Sequence, residues 1–116
     1  ELLAQRELVY NFDIPGTIPE LTLSSEQRRN IYLTVKEALH NVVKHAGATE
    51  VDITFRFEGV ITIAIRDNGK GMDGQPGRSF GNGLRNMRRR MEAIGGSFRA
   101  GSEGGVTVEL SLPLAG

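Results

Sequence analysis

Apolar and polar residues change their period along this chain, and the changes mark its elements. Leu8, Tyr10 and Phe12 alternate with Val9 and Asn11, which predicts a short strand, and Pro15, Gly16 and Pro19 then break regular structure. Ser24 and Ser25 are helix-capping residues, and behind them Ile31, Val35, Ala38, Leu39 and Val42 recur at helical spacing. A long helix is predicted to run to about Lys44, with Gly47 ending it. The period then falls to two. Val51, Ile53, Phe55 and Phe57 alternate with Asp52, Thr54, Arg56 and Glu58; after Gly59, Ile61, Ile63 and Ile65 alternate with Thr62, Ala64 and Arg66. Two strands joined as a hairpin are predicted.

From Asn68 to Asn82 the chain holds five glycines, one proline and almost no apolar anchors. That composition predicts a long mobile loop, a kind of segment that often carries function. Leu84, Met87, Met91 and Ile94 restore helical spacing until Gly95 and Gly96 stop it. A last hairpin follows, with strands at about Ser97 to Ala100 and Val106 to Leu112; in the second, Val106, Val108, Leu110 and Leu112 alternate with Thr107, Glu109 and Ser111. The order is strand, helix, two strands, helix, two strands, and the paired strands are joined too tightly for crossover connections. The expected fold is therefore a two-layer α/β sandwich, a mostly antiparallel sheet with its helices on one face.

Composition narrows the functional classes. A length of 116 residues suits one domain over 1–116. Fourteen basic and fourteen acidic residues cancel, so no long-range field draws nucleic acid or anionic lipid, and any bound anion has to be held locally. The lack of cysteine removes disulfides, thiolate metal sites and thiol nucleophiles, and suits a reducing compartment. No apolar run approaches the roughly 20 residues of a membrane helix, and no signal-peptide pattern starts at Glu1. The chain is expected in the cytoplasm without membrane contact of its own, whether or not its parent is a membrane protein.

Glu37, Asn41, Lys44 and His45 lie at i, i+4, i+7 and i+8 of the long helix and so project from one side of it. A carboxylate, an amide oxygen, an ammonium and an imidazole together can orient a nucleophile, ligate a hard cation and touch phosphates; they equally make an ordinary solvated face. Asp67 shares the face of Ile61, Ile63 and Ile65 at the end of its strand. A carboxylate there needs solvent, its own backbone in an Asp-Asn-Gly turn, or a ligand donor such as the exocyclic amine of adenine. Gly69 and Gly71 bracket Lys70, and Gly81 and Gly83 bracket Asn82 just before a helix predicted to open at about Leu84. The second pair lets backbone amides approach an anion at a helix N-terminus. Either pair alone is also a plain turn; their spacing to Asp67 makes one candidate nucleotide site.

The remaining polar and sulfur-bearing residues carry less. Arg85, Arg88, Arg89 and Arg90 form a basic helix face that is expected to be solvated, with Arg85 the strongest of them for a phosphate contact. His40 has no acidic or serine partner in the pattern and reads as structural. Met87 and Met91 are expected in the core, whereas Met72, beside the first glycine pair, is a candidate to lie against a flat base.

Together these residues resemble the ATPase domain of the superfamily named for gyrase, heat-shock chaperone, histidine kinase and MutL, which has the Bergerat fold. The run from Glu37 to Ala46 is similar to its N box, Asp67 to Met72 to its first glycine box, and Gly81 to Leu84 to its second. Leu84, Met87 and Arg90, following Gly81 and Gly83, most resemble the sensor histidine kinases that pair with NarL-type response regulators.

The resemblance implies a site for ATP and Mg²⁺. Asn41 would ligate Mg²⁺, Lys44 and His45 would lie near the phosphates, and Glu37 would assist phosphoryl transfer or hold the metal's water. Asp67 would accept from the adenine amine, with Gly69, Gly71 and Met72 against the base. Gly81, Asn82, Gly83 and Leu84 would end the ATP lid. Where the family's last strand often begins Gly-Thr-Thr, this chain has Gly105, Val106 and Thr107, and Thr107 is the candidate hydroxyl beside the base. The implied partners are ATP, a dimerisation and phosphoacceptor domain of the same protein, and a response regulator downstream; this chain alone would be monomeric and the parent homodimeric. Without the acceptor domain the chain would have negligible autokinase activity. Three other readings share the pattern: an ATPase clamp of the gyrase or MutL kind, a free-standing anti-sigma serine kinase, and a binding module that has lost nucleotide.

Overall fold

The computed structural model describes residues 8–69, 81–102 and 105–114, the side chains of residues 45, 46, 81 and 82 excepted. Ser24 starts the first helix as expected. Its hydroxyl accepts from the Gln27 N–H at 3.0 Å, while the Gln27 side chain accepts from the Ser24 N–H at 2.9 Å, a reciprocal pair that satisfies two free donors of the helix start. Helix α1 spans Ser25–Asn41 and passes into a π-helical turn, Val42–Ala46, which Gly47 closes in the left-handed conformation at φ 64°. The element bounds are β1 (Val9–Asp13), β2 (Glu50–Phe57), β3 (Val60–Asp67), α2 (Gly81–Ala93), β4 (Ser97–Ser102) and β5 (Val106–Pro113).

The strands form one mixed sheet in the order β1-β2-β3-β5-β4, in which β1 runs parallel to β2 and every other pair is antiparallel. Both expected hairpins are present, β2 with β3 and β4 with β5. Period-two alternation sends Val51, Ile53, Ile61, Ile63, Ile65, Val106, Val108, Leu110 and Leu112 to one face, where they join Ala38, Val42, Met87 and Met91 from the helices. The α/β two-layer arrangement matches the expectation, with the core between the sheet and its two helices.

Along α1 the pattern is only partly followed. Ile31, Val35 and Leu39 are half-buried, and the deepest line is Asn30, Thr34, Ala38 and Asn41. The reason is the second helix: α2 packs along α1, and small or short polar residues on that side let the helices approach, while the larger aliphatics pack at the margin of the core. Thr34, fully buried, satisfies its hydroxyl on the Asn30 carbonyl at 2.7 Å.

Met91 has no exposed surface and closes the core between α2 and the sheet. Met91→Ala should therefore cost about 2–5 kcal/mol of folding stability. Chemical denaturation with urea checks this, and a loss below about 1 kcal/mol would mean that the core closes without it.

Candidate functional site

The site begins with the end of β3. Asp67 lies on the inward face with Ile61, Ile63 and Ile65 and is only 3% exposed. Its Oδ1 accepts from the Gly69 N–H at 2.8 Å and from the Val106 N–H at 3.2 Å. The first bond is the turn that the Asp-Asn-Gly sequence allows; the second comes from β5, 39 residues away. The two use part of what a carboxylate can accept, since an ionised group offers about four lone-pair sites. The turn and a ligand contact are thus compatible rather than alternatives.

Two residues to which the sequence reading gave no such role, Gly105 and Asn68, shape the backbone around this carboxylate. Gly105, at φ 139°, passes so close that an added Cβ would lie 2.0 Å from the Asp67 carbonyl oxygen and 3.0 Å from Oδ1. Asn68 ties the end of β3 to the start of β2: its Oδ1 accepts from the Thr49 and Glu50 N–H groups at 2.9 and 3.0 Å, and its Nδ2 donates to the Thr49 hydroxyl at 3.0 Å. A glycine ahead of the last strand and an amide after the acidic residue were visible as residue types. Their partners are set by strand pairing, which no local pattern reveals.

Beside Asp67 lies a small recess, about 10 Å³ of enclosed space and about 280 Å³ when the open solvent at its mouth is included, lined by Ala38, Asn41, Val42, Ile65, Asp67, Leu84, Val106 and Val108. Six of these are apolar, and the two polar side chains are Asp67 and Asn41, so among its lining residues the recess has flat aliphatic walls and two points of polar recognition. Asn41 is 8% exposed. The start of α2 comes against the same end of α1: a Cβ on Gly83 would approach Glu37 Oε2 to 3.1 Å and Asn41 Nδ2 to 3.3 Å. Glu37, Asn41 and Gly83 therefore form one cluster, with Leu84 turned into the recess.

Helix α2 begins at Gly81, three residues before the predicted opening at Leu84. The second glycine pair is thus the first turn of the helix, the turn whose N–H groups lack intrahelical acceptors. Glycine inside a helix costs up to about 1 kcal/mol, and here a side chain at Gly83 would press on the ends of the Glu37 and Asn41 side chains, which would have to give way.

Not every candidate joins the cluster. Lys44 is exposed and lies in the π-helical turn that follows Asn41. His45 lies in the same turn, and its side chain, like that of Asn82, is outside the described set; Gly71 and Met72 lie outside the described residues altogether. Thr107 pairs with Arg66 on the opposite face of the sheet, beside Gly101 and Glu109. Alternation within β5 decides this: Val106 points to Asp67 and the recess, so Thr107 points away. The described residues contain no cluster of three His, Cys, Asp or Glu side chains able to cage a metal. Mg²⁺ does not require one, since it keeps several waters and takes one or two protein oxygens together with phosphate, and the Asn41 and Glu37 pair beside a helix start suits that mode.

Residues 26–116 match the family described as histidine kinase-, DNA gyrase B-, and HSP90-like ATPase. The chain belongs to this ATPase family. The ATPase domain is 34% identical over 104 residues to the sensor histidine kinase YvfT of Bacillus subtilis, covering 89% of this chain and 28% of that protein. It is 34% identical over 113 residues to the signal transduction histidine-protein kinase/phosphatase UhpB of Salmonella typhimurium, covering 96% of this chain and 22% of that protein. Against the nitrate/nitrite sensor protein NarQ of Escherichia coli the identity is 36% over 100 residues, covering 82% and 18%. The ATPase domain thus spans under a third of the length of these relatives. Among solved structures, the ATP-binding domain of PrrB from Mycobacterium tuberculosis superimposes with a TM-score of 0.73 at 26% identity, covering 95% of this chain and 82% of that one. The histidine kinase AdeS of Acinetobacter baumannii shares the fold with a TM-score of 0.78 at 18% identity, covering 98% and 58%.

In the ATPase domain Gly105 allows the close approach that lets β5 donate to Asp67. Gly105→Ala forces a backbone shift at a positive-φ position, and we expect a loss of about 2 kcal/mol or more in folding stability. Thermal unfolding of the variant checks this; an unchanged midpoint would show that the approach is not tight.

Proposed function

We propose that this chain binds Mg·ATP in the recess beside Asp67 and presents the γ-phosphate to a histidine on a separate dimeric domain of a sensor kinase. The observation that carries the reading is Asp67: an acceptor-only carboxylate, 3% exposed, bordering apolar walls and held from behind by two backbone donors. Such a group selects a flat ligand bearing an N–H donor at its edge, as adenine does. Ile65, Val106 and Val108 come from the sheet side of the recess and Leu84 from α2, so the base would lie between them.

The opposite end of the ligand would meet Asn41, Glu37 and the first turn of α2. Free amides and the helix dipole favour the phosphates there, with the Asn41 side-chain oxygen as protein ligand to Mg²⁺ and Glu37 holding a metal-bound water. Mg²⁺ would supply neutralisation of charge on the phosphate oxygens. The chain's own part is to fix the nucleotide and exclude motion, because phosphoryl transfer depends on positioning and charge stabilisation rather than on covalent help from the protein. The Lys44 and His45 side chains, Gly71 and Met72 remain candidates for the phosphates and the base respectively, on the strength of the family pattern.

Relatives named as sensor kinases support this class over a clamp or a serine kinase. In the full-length parent we propose a homodimer in which the acceptor histidine is outside this chain. A response regulator of NarL type is proposed as the downstream partner, on the likeness to NarQ and UhpB. A cytoplasmic placement is proposed on the likeness to sensor kinases. Among the described residues no helix is long and apolar enough to cross a membrane.

Calorimetric titration with Mg·ADP tests the central claim: saturable binding at one site is expected, and no heat together with no competition against a fluorescent ATP analogue would overturn it. Asp67→Asn replaces half of the acceptor with a donor and should weaken ADP by about tenfold or more, the scale of a hydrogen bond to a charged group. Thr107→Val, on the far face of the sheet, should leave ADP affinity within about twofold. A large loss in that variant would return Thr107 to the site.

A further inference from the structure

The C-terminal carbonyls of a helix lack intrahelical donors, and in α2 the one at Arg90 is met from outside. Asn30 of α1, itself 8% exposed, donates from Nδ2 to the Arg90 carbonyl oxygen at 2.9 Å. No local cap does this, since Ile94 and Gly96 donate to Met91 and Gly95 donates to Glu92. Asn30 is thus a tertiary cap on the end of α2 remote from the nucleotide recess.

Its spacing links the two ends. Seven residues separate Asn30 from Glu37 on α1, and seven separate Gly83 from Arg90 on α2. Seven residues are two helical turns, about 10 Å, on each helix. The helices run antiparallel, with Asn30 against Arg90 at one end and Glu37 with Asn41 against Gly83 at the other. One hydrogen bond and, at matched separation, one close approach set the axial register of α2 on α1. A slip of one residue would shift α2 by about 1.5 Å and turn it by about 100°, enough to remove both contacts and carry the first-turn amides away from Asn41.

We infer that Asn30 is a positioning residue for the phosphate end of the nucleotide site, acting through the register of α2 from two turns away. The inference rests on the nucleotide reading above. It predicts a selective effect. Loss of the tie should weaken ligands that reach the start of α2 and spare those that occupy only the base end, whose walls come chiefly from the sheet and α1. Linkage adds a reciprocal consequence: if the tie favours phosphate binding, phosphate binding strengthens the tie by the same factor.

The experiment is an NMR titration of wild type and Asn30→Ala with Mg·ADP and, separately, with adenosine. Asn30→Ala should weaken ADP about three- to tenfold, the scale of one neutral hydrogen bond, with adenosine unchanged. Asn30→Gln, which keeps the amide, should recover part of the loss. Equal weakening of both ligands, or of neither, would overturn the inference. A readout without substitution guards against a variant that does not fold: in wild type, hydrogen exchange of the Asn30 side-chain amide should slow on adding Mg·ADP and not on adding adenosine. Exchange indifferent to ADP would also overturn it. Wild type that binds neither ligand would sink the nucleotide reading and this inference together, whereas normal wild-type binding with Asn30→Ala behaving identically would sink the inference alone.

Discussion

A carboxylate at the end of a buried strand face has to be met by donors, and in this chain the backbone supplies them. Asp67 Oδ1 draws one bond from the turn that follows it and one from the start of β5, and the second exists only because Gly105 has no side chain to hold the strands apart. The surrounding site follows from that meeting. Once β5 is drawn beside β3 in this register, Val106 and Val108 become walls of the recess, and Thr107 is committed to the other face. Burial without these donors would cost several kcal/mol for a charged group, so the hydrogen bonds and the site geometry stand or fall together.

The opposite side of the recess is built on the helix pair. A deep line of small and polar residues along α1, Asn30, Thr34, Ala38 and Asn41, admits α2 closely, and glycine in the first turn of α2 brings that turn onto Glu37 and Asn41. Apolar residues there would bury more surface per residue but would hold the helices farther apart. The chain gives up some hydrophobic burial on α1 to bring free helix amides, a buried amide side chain and a carboxylate into one small volume. A sheet that positions an acceptor and a helix pair that positions donors give the recess two chemically distinct ends, the requirement for binding a molecule that is a base at one end and a polyanion at the other.

Much of this was legible in the order of residues. Hydrophobic period located β1, β2, β3, β5, α1 and α2, because alternation and helical spacing are imposed by backbone geometry and need no partner; β4 was expected only as the first strand of a closing hairpin. The inward placement of Asp67 followed from the same count, and the three motif boxes contain the polar residues of the site. Boundaries were less secure. The start of α2 at Gly81 and the π-helical turn after Asn41 both depart from the local pattern, since packing of one helix on another outweighs the propensity of one or two residues.

Spacing along the chain encodes the set of elements, the inward faces of β2, β3 and β5 and the family to which the boxes belong, whereas β1, read as an alternating strand, has all five of its residues exposed. The tertiary structure alone decided which residues meet. It set Val106 rather than Thr107 beside Asp67, turned Lys44 outward, made Gly105 and Asn68 the supports of the carboxylate and put Asn30 at the far end of α2. Those outcomes depend on strand register and on the approach of two helices, quantities fixed by contacts between residues tens of positions apart, for which a linear pattern carries no signal.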